Sequence, residues 1–186
     1  MNLLDLDPRW RRLNDPDWAC PCCGVSWGGV FDIGYDHPDL WEHAPRGDLD
    51  LVEAGSDRLT AELCRAGDHR LIRVTLMLPV RGSGETLGIA TWAEPPEDVF
   101  FAYFDTLSGA PAPAPCIAAL GNDLPGFATD EPLLGQLDFG DGSARPVFTA
   151  ASGPLAKAQQ DGIGFDDLLT TYAATDNDIR PHLARD

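Results

Sequence analysis

Cys20 and Cys23 stand in a C-x-x-C spacing, with Cys22 between them and Gly24 directly behind. A tight turn points both thiolates of such a pair at one ion, and a glycine after it lets the turn close, which is the chemistry of a tetrahedral zinc site. Two more ligands complete a tetrahedron. Cys64 and, with four residues between, His69 supply them from a strand end and the turn that follows. The expected site is therefore Cys20, Cys23, Cys64 and His69, three thiolates and one imidazole around Zn2+. With four protein ligands such an ion is closed to substrate and structural. Cys22, His37, His43 and Cys116 are alternative ligands, each more simply read as a buried thiol or a surface imidazole.

Other chemistries fit less well. A dithiol of the thioredoxin kind needs a helix N-terminus behind its C-x-x-C, and here Gly28-Gly29 and a broken strand follow. A cysteine nucleophile with His37, His43 or His69 as base lacks a local signature. Acid pairs such as Asp48 and Asp50, or Asp138 and Asp141, arise by chance among 30 acidic residues and read as solvated loops. The turns Gly82-Ser83-Gly84 and Gly140-Asp141-Gly142 lack the lysine and helix of a phosphate loop. Arg73, mid-strand among apolar residues, points outward or is a buried ion-pair partner.

The elements that must position these residues fit a chain of 186 residues, one domain by default. Residues 1–17 read as a loose lead-in, 18–175 as a single domain and 176–186 as a tail. Strands are expected at Leu59–Cys64, Arg70–Val80 and Thr86–Ala93, the last two joined by the turn at Gly82–Gly84. Three more are expected at Cys116–Leu120, Leu133–Phe139 and Ala144–Ala150, with Asp141-Gly142 as a hairpin signal. Pro95 and Pro96 followed by acids start a helix that runs to about Leu107. Its aromatics are expected in the core rather than as a base-stacking platform. Two further helices are expected at Pro154–Gln160 and Phe165–Ala174. The fold class is α+β, a mostly antiparallel sheet with a few helices and an N-terminal zinc-knuckle-like cysteine motif.

The net charge of −17 repels a nucleic-acid duplex or an anionic membrane and attracts a cationic protein surface, although solubility alone also explains it. No apolar run reaches the roughly 20 residues that span a bilayer. The acidic opening Met1–Asp7 lacks the apolar core of a signal peptide. The expected compartment is the cytoplasm, where five cysteines point to free thiols or metal rather than disulfides.

Four stretches in this order resemble the bacterial family known as domain of unknown function 2199. They are Cys20-x-x-Cys23-Gly24; Leu63-Cys64 through His69 to Pro79; Leu124-Pro125-Gly126-Phe127 with Thr129; and Pro154-Leu155-Ala156 through Gln159 to Ile163. The resemblance implies a fold and no mechanism. It also implies a histidine shortly after the C-x-x-C-G and another before Pro-Leu-Ala, where this chain has Val25-Ser26-Trp27 and Gly153. Cys22 is an extra thiol that can compensate at the first of these places.

The expected function is a non-catalytic, protein-binding domain, immunity-like or regulatory, with a structural zinc and a basic protein partner. The alternative is a thiol- or metal-dependent enzyme at Cys20 and Cys23. A third reading is a small-molecule module using a cleft beside Pro125-Gly126-Phe127 and Trp92.

Overall fold

Alternation of apolar residues from Arg70 onward builds the longest strand of the molecule. The computed structural model describes residues 3–184. In chain order the elements are α1 (Pro8–Asn14), β1 (Ile33–Gly34), β2 (Leu51–Ala54), β3 (Asp57–Thr60), β4 (Leu63–Ala66), β5 (His69–Pro79), β6 (Thr86–Glu94) and α2 (Glu97–Thr106). They continue as β7 (Cys116–Leu120), β8 (Leu134–Asp138), β9 (Val147–Ala150), α3 (Gly153–Asp161), α4 (Phe165–Ala174) and α5 (Arg180–Leu183). The fold is α+β as expected. The strands order as β1-β6-β7-β8-β9-β5-β4-β3-β2, with β6 also paired to β5. That extra pairing closes β5 to β9 into a small barrel. β6, β7, β8 and β9 pair antiparallel in turn, whereas β5 and β9 pair in parallel at Thr75 and Val147, so the sheet is mixed.

The chain divides into two compact units. The central unit takes in Gly34–Leu76 and Ile89–Ala156. Its β2, β3, β4 and β5 form an antiparallel meander, so the expected strand at Leu59–Cys64 is in fact a hairpin of two. Every second residue of β5, Ile72, Val74 and Leu76, is fully buried, as a barrel wall requires. Leu71, on the opposite face, joins Trp41, Leu59, Cys64, Ala66 and Trp92 in a second apolar cluster. Arg73 shares that face. Its guanidinium carbon lies 5.8 Å from the centroid of the Trp92 ring, and Nη1 donates to the Ala61 carbonyl at 3.4 Å.

Gly135 illustrates how tightly the barrel is filled. A Cβ there would meet the carbonyl oxygen of Thr149 and would stand 2.5 Å from Cζ of Phe148, whose ring is fully buried. Backbone on one side and a core ring on the other leave no room to yield. Gly135→Ala is expected to destabilise the central unit by about 1–3 kcal/mol. The check is a urea titration, in which the midpoint falls while the slope is unchanged.

α2 begins after Pro96 with Glu97 and Asp98 in its first turn, where acids favour the helix dipole. Phe100 and Tyr103 are buried, as expected of core aromatics. Phe101 and Phe104 are not: each remains about half exposed, at 48% and 49%.

The terminal unit runs through Ile33 and takes in Met77–Gly88 and the chain from Lys157 onward. The lead-in contains α1, preceded by a short 3-10 turn at Leu3–Leu6, and the tail contains α5; residues 1, 2, 185 and 186 lie outside the described residues. Asp7 caps α1 by accepting the Arg9 backbone N–H at 2.8 Å, with Pro8 in the first turn. Trp10 packs edge-on to Phe165 of α4, with ring centroids 5.2 Å apart. Tyr172 of α4 is fully buried and stacks on Phe31 at 4.2 Å. Its hydroxyl donates to the Phe31 carbonyl at 2.7 Å and accepts the Phe31 N–H at 3.0 Å. These contacts fix the strand-like segment behind the cysteine turn. At the other end of the unit, Gly162 at φ 79° lets the Ile163 N–H reach the Pro79 carbonyl at 2.8 Å.

Candidate metal centre

The turn at Pro21–Cys23 is closed by two backbone hydrogen bonds. Gly24 N–H donates to the Cys20 carbonyl at 2.8 Å, and Cys20 N–H donates to the Val25 carbonyl at 2.9 Å. Gly24 sits at φ 73°, a left-handed conformation that other residues resist. The result is a knuckle with three thiols on one side.

The fourth member comes from the far end of the chain. His182 lies in α5, which is anchored by the fully buried Leu183. The Leu183 carbonyl accepts a hydrogen bond from Arg12 Nη1 of α1 at 2.6 Å. Asp178 pairs with Arg180 at the start of that helix. The His182 ring lies 5.8 Å from Trp27, which stacks in turn on Trp18. Nδ1 of His182 is thereby held 3.4 Å from Cys20 Sγ, 3.4 Å from Cys22 Sγ and 3.5 Å from Cys23 Sγ. Cys20 and Cys22 Sγ are 3.1 Å apart, too far for a disulfide. All four ligand atoms lie within 4.8 Å of one another.

The spacings of His182 Nδ1 to the three sulfurs fit a tetrahedral ion. Sulfur at about 2.3 Å and nitrogen at about 2.0–2.1 Å from zinc place neighbouring ligand atoms roughly 3.4–3.8 Å apart. The donor set, three sulfurs and one imidazole nitrogen, is one that soft and borderline metals take. A Cys3His group of this kind can bind a metal ion. Cys20 is buried, Cys22 and Cys23 are exposed and His182 is partly covered, so the centre lies at the surface.

Electrostatics divide the thiols. Burial opposes ionisation of Cys20, but hydrogen bonds from the Cys22 thiol and N–H, from His182 and from the Cys23 N–H outweigh it and bring its pKa down to about 6. The Cys22 thiol is pushed up to about 11, first by its hydrogen bond to Cys20, then by burial and by its sulfur neighbours. The environment thus favours ionisation of the buried Cys20 over that of the exposed Cys22.

Cys20 and Cys23 are brought together; Cys64 and His69 belong to the central unit and have partners of their own. Cys64 on β4 faces the apolar cluster and is 1% exposed. His69, at the start of β5, is exposed, with Nδ1 2.9 Å from the Glu94 carboxylate. Of the alternatives, Cys22 joins the cluster. His37 donates to the Pro38 carbonyl, His43 pairs with Asp57, and Cys116 lies half-buried on β7. No spacing in the sequence points to His182, which stands 162 residues from Cys20.

The environment of Cys64 makes its own prediction. Burial, with the Asp57 charge nearby, pushes its thiol up to about 12. A folded pKa above the unfolded value of about 8.5 means that the protonated thiol favours the fold. That contribution is complete below about pH 8.5 and is lost as pH rises toward 12. Cys64 is therefore expected to resist iodoacetamide at pH 9 until urea opens the central unit. Peptide mapping of the alkylated, chelator-treated protein would check this; labelling of Cys64 as fast as of the exposed Cys23 would contradict it.

Fold and site define a class: a small α+β protein with a mixed barrel and a surface Cys3His group of metal-binding type. A family model described as an uncharacterized protein conserved in bacteria (DUF2199) matches residues 19–163, and the chain belongs to that family. No curated protein and no solved structure matches the chain. The matched span contains the three cysteines and stops short of His182. Just after Gly24 the chain has Val25-Ser26-Trp27, and the imidazole of the cluster comes from α5, against Trp27. No helix among the described residues is long and apolar enough to cross a membrane.

Proposed function

We propose that this protein is a cytoplasmic, non-catalytic protein-binding domain, immunity-like or regulatory toward a basic partner, with a structural zinc held by Cys20, Cys22, Cys23 and His182. The observation that carries the metal half is the convergence of four ligand atoms within 4.8 Å from the two ends of the chain. Four protein ligands leave no open position for substrate, as in structural zinc sites. Bound there, zinc supplies a cross-link between the knuckle and α5, closing a loop of most of the chain's length. The partner half rests on the charge of −17. Such a partner is expected to bind more weakly as salt rises.

Thiol catalysis at Cys20 with His182 as base is the competing reading, favoured by their 3.4 Å separation. Access argues against it. Cys20, the thiol whose ionisation the cluster favours, is itself buried.

Cobalt(II) substitution tests the metal half. Intense tetrahedral absorption with thiolate-to-cobalt charge transfer, altered by His182→Ala, is the expected result. Weak octahedral absorption, or a spectrum that His182→Ala leaves unchanged, would overturn the ligand set.

A further inference from the structure

The outward face of α2 sets aromatic rings among acids and carries no cation. Phe101 is 48% exposed and Phe104 49%, and Leu107, just past the helix end, is 63% exposed, so apolar surface lies open along this side. At roughly 100° per residue, Phe104, Glu97, Phe101, Asp105 and Asp98 fall within one arc of the helix. All five are exposed. At one edge of this arc the chain supplies its own cation: the Arg70 guanidinium carbon lies 5.8 Å from the centroid of Phe101, and Arg70 Nε is 3.5 Å from the Glu97 carboxylate. Arg70 pairs with a ring and an acid one turn apart, Phe101 and Glu97; Asp98 and Asp105 lie one turn to either side of Phe101, and Phe104 adjoins it at i+3.

We propose that this face docks an arginine-rich segment of the basic partner, with its guanidinium groups seated on the exposed Phe101–Phe104 surface and paired with Asp98 and Asp105; the inference rests on the basic-partner reading above. Arginine suits the site better than lysine because its planar, weakly hydrated group stacks on a ring while its N–H groups reach a carboxylate. Charge selects this occupant among those an exposed aromatic face can take. A second copy brings another −17, and an anionic membrane repels the three acids.

The test is fluorescence anisotropy with two labelled peptides of equal charge, one of arginine and leucine at helical spacing, the other of arginine and serine. The arginine–leucine peptide is expected to bind about tenfold more tightly, since only it covers the apolar part of the face. Phe104→Ser, at an exposed position, is expected to weaken that binding about tenfold, the order of a desolvated cation–π contact. The double variant Asp98→Asn, Asp105→Asn is expected to do the same. A control removing the same charge elsewhere, Asp48→Asn with Asp50→Asn, is expected to cost less than about threefold. If the control costs as much as the α2 pair, binding follows the diffuse field: the docking face is overturned and the basic partner stands. If neither peptide binds at low salt, the basic-partner reading fails and the docking face with it. Self-association of the wild type that Phe104→Ser abolishes would assign the face to a second copy and overturn the proposal.

Discussion

Cys20→Ser is expected to abolish metal retention and remove the chelator sensitivity of the terminal unit. Cys20 is the buried member of the cluster, and its sulfur is the one that the Cys22 and Cys23 N–H groups address. Serine preserves the turn closed by Gly24 but removes the sulfur a soft-ligand site requires. With free zinc one hundred to one thousand times above Kd, an ion that binds only the folded state contributes about 2.7–4.1 kcal/mol. The variant is therefore expected to melt like chelator-treated wild type, about 3–4 kcal/mol less stable than the loaded protein under those conditions. Cys64→Ala is expected to retain the metal in full, because Cys64 lies in an apolar cluster of the central unit. Differential scanning calorimetry with and without chelator, alongside metal analysis, separates the two. A Cys20→Ser protein as fully loaded as wild type would contradict the site.

Trp92→Ala is expected to cost about 3–5 kcal/mol, the range for truncating a large buried aromatic. Trp92 is fully buried against Trp41, Leu59 and Leu71. Its indole N–H donates to the Tyr35 carbonyl at 3.2 Å, and its backbone N–H donates to Asn122 Oδ1 at 3.2 Å. Truncation opens a cavity, leaves the Tyr35 carbonyl without its donor and removes the ring beneath the Arg73 guanidinium. Against a total stability of roughly 5–15 kcal/mol, such a loss unfolds a substantial fraction of the protein or brings it close to that point. A urea titration measures it, and a loss below about 1 kcal/mol would show that the cluster is not what holds the meander together.

The elements legible in the sequence are those with enough length for a period to show. Arg70–Val80 alternates over eleven residues and returns as β5 (His69–Pro79); the helix at Phe165–Ala174 returns with the same ends. α1 escaped because its buried residues are only Trp10 and Leu13, a single helical step in a seven-residue segment. β2 escaped because it buries neither face. Barrel closure has no local signature either: β9 joins β5 in parallel through one registered pair, Thr75 and Val147, far apart in the chain. The same division holds at the metal centre. Cys20 and Cys23 are readable because a turn enforces their spacing. His182 is brought to them by Leu183, Arg12 and Trp27, tertiary contacts that no spacing encodes. Cys64 and His69 have ligand-like spacing because they flank the β4–β5 turn. The pleat of β4 turns Cys64 toward Leu59 and Trp92, while His69 remains on the exposed start of β5.

The most direct measurement is the metal content of protein purified without chelator, by elemental mass spectrometry, with thiols titrated before and after chelation. One zinc per chain is expected, with Cys20, Cys22 and Cys23 shielded until the metal is removed. No bound metal, with one thiol reacting rapidly in the folded protein, would contradict it and turn Cys20 and His182 into candidates for thiol chemistry.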